Sequence, residues 1–501
     1  MRRCAILWSV ILLIPCSVYA QRTKSAEQRT ADYLESIRNQ PLLLAAFAEQ
    51  MPKGGDLHNH LTGAVYAESY IQYAADDGLC IDRQTLTFVQ PPCDESKNQT
   101  SAAKALEDAV LYRDLIDAMS MRDFKPAAQS GHDHFFDTFG RFRIPARAHT
   151  SAMIAEVVSR AGRQNESYLE LTLNPDRGAA GPVGAKIGWD DDFAVLRDKL
   201  LAGGLRDVIA TAVKSIDEID AQSKKLMCDG ARKMAGSPPQ QAKSGLIAIP
   251  DSAKAAESGS PGVGGPGCGL EVRYIYEVYR GFPREQVFAQ ALTGFEMAMT
   301  DPRVVAVNPV MPEDGYVSMH DYELHMRIFD FLHKLYPKVH LTLHAGELAP
   351  GLVPPDGLSF HIRQAVELGH AERIGHGVDV MHEDRPFDLL KEMAQRKVAV
   401  EICLTSNDLI LGIRGREHPL PQYLNYKVPV VIATDDEGVS RSDMSREYRR
   451  AIEGYGLNWG QLKQIVRNSI QYSFVDDQTK ARLLKDLEQR FGKFEIQVSS
   501  F

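Results

Sequence analysis

The 501-residue sequence has no excess of positive charge: 57 Lys and Arg stand against 66 Asp and Glu, a net charge of -9. That balance argues against a nucleic-acid partner or an anionic membrane surface. Beyond the first twenty residues there is no long apolar run, which excludes a polytopic membrane protein. No Gly-x-Gly-x-x-Gly follows a strand-like run, so a dinucleotide-binding doubly wound sheet lacks its signature. No Gly-x-Ser-x-Gly is present, which removes the common serine-hydrolase signal. No internal repeat appears. What remains is an ordinary globular composition, 44% hydrophobic and 25% charged, with ample chain for a large core.

Cysteine is scarce, seven in all, and Cys4 and Cys16 fall in a leader. Arg2 and Arg3 precede an apolar stretch from Ala5 to Val18, and Val18-Tyr19-Ala20 gives a small-x-small site before Gln21. This pattern reads as a secretory signal peptide over residues 1–20, and about 14 apolar residues are too few to span a bilayer. The expectation is an exported protein, periplasmic or extracellular, with no stable membrane anchor after cleavage. Oxidising compartments permit disulfides. Cys80 and Cys93 flank a short loop containing Pro91-Pro92, and Cys228 and Cys268 flank a Gly/Ser/Pro-rich stretch; these are the expected pairs. Cys403, in an apolar strand, is expected to be a buried free thiol. The alternative is five free thiols.

Residues 26–50 have apolar positions at roughly helical spacing. Eight short, β-rich apolar runs follow at 55–61, 168–173, 272–278, 304–311, 339–344, 373–380, 398–404 and 429–434. Such runs suit parallel strands covered on both faces. Helical patterns at 286–299, 321–335, 359–368 and 386–396 separate the later ones. The alternation predicts a (β/α)8 TIM barrel, an α/β fold, with an open doubly wound sheet as the other option. One barrel domain is expected over residues 21–501. It carries long insertions after strands 1 and 2: a helical insertion or lid at 62–166 and a Gly/Ser/Pro-rich stretch at 226–268. Residues 441–495 read as helices packed on the barrel.

Polar residues gather where these strands end. His58 and His60, two apart on the first strand, point to one face. His344 ends the fifth run in His344-Ala-Gly-Glu347, His376 lies on the sixth, and Asp435-Asp436 follow the eighth. Each alone has an ordinary reading: a capped loop, a hydrogen-bonded core histidine, a helix cap. Together they put three kinds of metal- and proton-handling group on the C-terminal rim, where barrel active sites are built. His132-Asp133-His134 has the same spacing as His58-Asn59-His60 but lies on no strand-like run, and is read as structural or as part of the rim.

These motifs, Met51-Pro-Lys-Gly-Gly-Asp-Leu-His58-Asn-His60-Leu-Thr-Gly63, His344-Ala-Gly-Glu347, Arg373-Ile-Gly-His376-Gly, Leu404-Thr-Ser-Asn407 and Thr434-Asp435-Asp436, resemble the adenosine deaminase family of amidohydrolase-type barrels. Met51-Pro-Lys and the leader are most similar to its secreted, growth-factor-related branch. The resemblance implies one Zn2+ per chain, held by His58, His60, His344 and Asp435. It implies that His376 orients or deprotonates the activated water and that Glu347 protonates purine N1, so that hydroxide adds at C6. Asp436 then bonds purine N7, and adenosine or 2′-deoxyadenosine leaves as inosine with ammonia. His60, Thr62 and Met311 would also face the substrate. The implied partner is a small purine nucleoside, and the secreted branch suggests a homodimer.

Two positions depart from the family pattern. The family has a glycine near Met311, whose backbone N–H contacts purine N3, and an acid at Thr62 that contacts the ribose. Both lie on the substrate side. They leave open a deaminase or amidohydrolase acting on a related amino-heterocycle, such as adenine, AMP or an N6-substituted adenosine. A third option is a non-catalytic extracellular binding protein on the same scaffold. Phe135, Phe136, Phe139 and Phe142 in the first insertion either cover a planar base or form the core of the inserted helices.

Overall fold

A computed structural model describes residues 24–126, 129–235 and 265–498, without the side chains of 229–235. The expected leader at 1–20 and most of the Gly/Ser/Pro-rich stretch lie outside these residues. Eight parallel strands follow one another in chain order: β1 (Gly54–His60), β2 (Glu166–Leu173), β3 (Glu271–Tyr279), β4 (Val304–Val310), β5 (His340–Ala345), β6 (Arg373–His376), β7 (Ala399–Ile402) and β8 (Val430–Ile432). Just past β8, Asp435 donates its N–H to His58 O at 2.8 Å and accepts from His60 N–H at 3.2 Å. An Asn59–Asp435 bridge thus joins the last strand to the first. The result is the (β/α)8 barrel expected from the alternating pattern.

All eight apolar runs fall on these strands. The sixth ends at His376 rather than Val380, because His376 and Gly377 both take positive φ, 66° and 57°, and turn the chain out of the sheet. The seventh ends at Ile402, so Cys403 lies just beyond its strand, buried and free. Strands β1, β2, β7 and β8 are buried along their whole length, which is why their sequences lack the alternation of a half-exposed strand.

The expected helix over 26–50 is two helices, Ala26–Ile37 and Pro41–Gln50. Pro41 cannot donate into a preceding helix and instead starts the second one. The first insertion is less purely helical than its composition suggests. Alongside its helices it holds a three-stranded antiparallel sheet with Cys80–Asp82 between Thr87–Val89 and Gln99–Ser101. The long helix Gly131–Ala148 of this insertion lies over the C-terminal mouth of the barrel and lines its cavity. Three helices, Met444–Tyr455, Trp459–Gln471 and Asp477–Val498, complete the chain. No helix among the described residues is long and apolar enough to cross a membrane.

Inside the barrel, below the C-terminal rim, lies a buried ion network. Arg373 bonds Glu170 and Glu401, each at 2.5 Å, and Thr342 donates to Glu401 at 2.8 Å. A buried charge persists only when paired and hydrogen-bonded. Burial alone would raise the Glu401 carboxyl, but Arg373 and His58 outweigh it and hold it at about 2.

Both expected disulfides, Cys80–Cys93 and Cys228–Cys268, are formed. Peptide mapping under non-reducing conditions should recover these two links and leave Cys403 unlinked. Reduction should cost about 2–4 kcal/mol of stability per bridge, read as a fall in Tm. An unchanged Tm after full reduction would contradict these pairings.

Candidate active site

The ends of β1, β5 and β8 bring four ligand atoms together. His60 Nε2 lies 3.2 Å from both His58 Nε2 and His344 Nε2. Asp435 Oδ1 lies 3.4 Å from His58 Nε2 and 3.4 Å from His60 Nε2. A tetrahedral zinc centre with bonds of about 2.0–2.1 Å separates its ligand atoms by about 3.3–3.4 Å. The donor set fits that ion. His58, His344, His376 and Asp435 also offer atoms within 4.8 Å of one another, but the shorter contacts single out His60 rather than His376 as the companion of the other three.

The remote side of each imidazole explains the orientation. His58 Nδ1 bonds Glu401 Oε2 at 2.6 Å, and His344 Nδ1 bonds Asn308 Oδ1 at 2.9 Å. An acceptor at Nδ1 keeps the proton there and leaves the Nε2 lone pair free for a cation. His60 Nδ1 faces Glu277 at a longer 3.6 Å. Ser406 donates its hydroxyl to the second oxygen of Asp435. Burial opposes the Asp435 charge, but the surrounding imidazoles hold its carboxyl well below the usual range.

Glu347 and His376 stand beside this cluster, with Glu347 Oε1 3.6 Å from His376 Nε2. His376 Nδ1 bonds Asn407 Oδ1 at 3.0 Å, while its buried Nε2 has no hydrogen-bond partner. Burial pushes the Glu347 carboxyl up, against the opposing pull of His376. The backbone presenting Glu347 is pinned: Glu313 accepts from Gly346 N at 3.0 Å and from Glu347 N at 2.8 Å. Gly346 has φ of 76°, and a Cβ there would lie 2.4 Å from Asp379 Oδ1. Only glycine fits that turn. Burial would raise Glu313, but His361 and Arg280 outweigh it and hold it at about 2.

These groups floor a cavity of about 860 Å3 that opens past the helix Gly131–Ala148. Asp436 and Thr62 line it, as does Met311, 37% exposed on its wall. Burial drives the Asp436 carboxyl well up, and its Oδ1 has no partner. A Cβ on Gly63 would fall 1.7 Å from that oxygen, so the glycine makes room for Asp436. Every residue singled out in the sequence for catalysis, metal binding or substrate contact therefore reaches this one cavity, apart from His58, which stands behind it in the cluster.

A match to the family described as adenosine deaminase spans residues 237–490, half of the chain. The chain belongs to the adenosine deaminase family. The matched span begins after β2, so His58 and His60 lie outside it, and it is the barrel closure that brings them to the family's rim. The chain is 37% identical over 147 residues to an adenosine deaminase of Klebsiella pneumoniae, covering 29% of this chain and 41% of that one. It is 29% identical over 221 residues to an adenine deaminase of Rhizobium leguminosarum, covering 44% of this chain and 62% of that one. The chain thus spans about two fifths to three fifths of these curated relatives. An N6-mAMP deaminase structure from Arabidopsis shares the fold, with a TM-score of 0.54 at 19% identity, 89% of this chain and 99% of that one being covered.

Against the family pattern, Met311 holds a φ of 87°, a conformation that favours glycine. Arg280 donates to Met311 O from Nε at 3.2 Å and from Nη2 at 3.1 Å, and to His344 O at 3.0 Å, which fixes the strained turn. Of the four phenylalanines, Phe135 and Phe142 are buried, with Phe142 stacked on Tyr70, while Phe136 and Phe139 are half-buried; all four line the cavity. His134 bonds the carbonyls of Asp117 and Ser120, a structural role, and His132 ties the overlying helix to Asp314 at 3.0 Å.

Sequence reasoning missed the supporting residues Glu401, Asn308, Arg280 and Glu313. Glu401 had a visible signal: an acid inside the apolar run Lys397-Val-Ala-Val-Glu401-Ile-Cys403 must have a buried partner. Glu401→Gln keeps the shape and removes the charge that orients His58. It should lower metal affinity about 10–100-fold, measured by competition against a chelator. Unchanged affinity would refute its supporting role.

Proposed function

We propose that the protein is a zinc-dependent hydrolase that deaminates adenosine and 2′-deoxyadenosine to inosine and 2′-deoxyinosine, releasing ammonia. The observation that carries this reading is the cluster His58, His60, His344 and Asp435 with Glu347 and His376 on the same cavity floor. Zinc bound there supplies a water ionised near neutral pH. His376, through its unpartnered Nε2, is placed to take a proton from the attacking water. Glu347, whose carboxyl burial pushes up, donates in its protonated form to purine N1 as C6 gains its oxygen. Purine N7 is an acceptor, and a protonated Asp436 can donate to it. The 6-amino group then takes up the proton that His376 removed from the water and leaves as ammonia.

A second reading, deamination of another 6-aminopurine such as adenine or an N6-substituted nucleotide, is favoured by Met311. Its side chain occupies the rim where the family pattern has a glycine. Relatives named for adenine and N6-mAMP support testing both. Export to an oxidising compartment is part of the same proposal, supported by the two disulfides. Amino-terminal sequencing of secreted protein should begin at Gln21; an intact Met1 would count against export.

The deciding assay is the ultraviolet change from adenosine to inosine with zinc-loaded protein. No turnover of any 6-aminopurine would end the enzymatic reading. Glu347→Gln should retain zinc and lose about 10²–10⁴-fold in kcat. The pH profile follows from the sign of the shift. The acid works only while protonated, and its pKa is raised, so kcat/KM should persist above the ordinary glutamate range and fall as pH rises through the shifted value. A fall complete by the ordinary glutamate pKa would remove Glu347 from the donor role.

A further inference from the structure

The cavity is polarised along its depth. The four carboxylates that line it, Glu277, Glu347, Asp435 and Asp436, are all buried at the floor around the ligand cluster. Three guanidiniums also line it, Arg143, Arg147 and Arg177, and all three are exposed at its mouth. Arg143 and Arg147 are one helical turn apart on Gly131–Ala148, so they share a face. Arg177 follows β2 at the same end of the barrel.

None of the three makes a salt bridge or a side-chain hydrogen bond among the described residues. Several arginines elsewhere are closely paired. Arg122, Arg303, Arg441 and Arg467 each reach a carboxylate within 2.7 Å. With more acidic than basic side chains in the sequence, three unpaired guanidiniums around one opening are not a shortage of partners. Each guanidinium is a fork-shaped donor, the geometry that recognises phosphate.

The geometry points to an anion subsite at the mouth, formed by Arg143, Arg147 and Arg177, that takes the 5′-phosphate of a purine nucleoside monophosphate whose base lies at the floor. This rests on the deaminase reading for the orientation of the base, and it names the residues that would favour a nucleotide over the nucleoside. An uncharged nucleoside fills the floor and leaves the mouth unpaired. A monophosphate meets both ends of the cavity.

The test separates binding from turnover. Affinities of IMP and inosine are measured calorimetrically on zinc-loaded protein, beside the kcat/KM values for AMP and adenosine. IMP should bind at least about tenfold more tightly than inosine. In Arg143→Ala/Arg147→Ala, and separately in Arg177→Ala, that ratio should fall toward one, and the AMP-to-adenosine ratio of kcat/KM should fall with it. All three side chains are exposed, and circular dichroism checks that the variants are folded. A ratio near one in the wild type, or one that the substitutions leave unchanged, overturns the subsite even if adenosine is turned over briskly. Preference for IMP without turnover of AMP or adenosine leaves the subsite standing and removes the deaminase reading.

Discussion

Three imidazole nitrogens and a carboxylate oxygen cannot sit 3.2–3.4 Å apart in a buried floor without something holding their lone pairs toward one point. That constraint organises the rest of the structure. Glu401 and Asn308 grip the far nitrogens of His58 and His344. Arg373 anchors Glu401 and is itself tied to Glu170 across the barrel. The ion network below the rim is therefore the foundation of the cluster above it: an uncompensated carboxylate there would be costly, and the arginine makes it affordable. The interior of the barrel supports the four-atom cluster from below.

Backbone strain gathers in the same place. Met311, His376 and Asp435 all have positive φ and all lie where a strand meets its following loop. Such conformations persist only when their surroundings over-determine them. Arg280 clamps the Met311 carbonyl, Asn407 holds the His376 ring, and paired hydrogen bonds to β1 fix the Asp435 backbone. In each case the turn swings a functional group off its strand and over the barrel axis, where a residue continuing the strand could not reach.

Much of this was legible in the sequence because it is periodic or local. Apolar runs placed all eight strands, and the two-residue spacing of His58 and His60 put both rings on one face. His344, Glu347 and Asp435 were visible as polar residues at strand ends. The supporting groups were not, because their contacts are remote along the chain: His58 and Glu401 are 343 residues apart, and nothing near either one names the other. The expected single helix over 26–50 was broken by Pro41, a local signal outweighed by the apolar spacing around it. The small sheet at 80–101 was lost because strands of three residues leave too short a period to read.

The joining of the last strand to the first has a temporal meaning. His58 and His60 leave the ribosome early, whereas Asp435 comes some 375 residues later, and its backbone bonds to β1 close the barrel. Until β8 has been made and docked, the early histidines lack the carboxylate that Asp435 sets against their Nε2 atoms. Ordering by contacts so distant in sequence is slow and comes late in folding. The four-atom cluster is thus a property of the whole chain, from its first strand to its last, and no shorter piece of the barrel contains it.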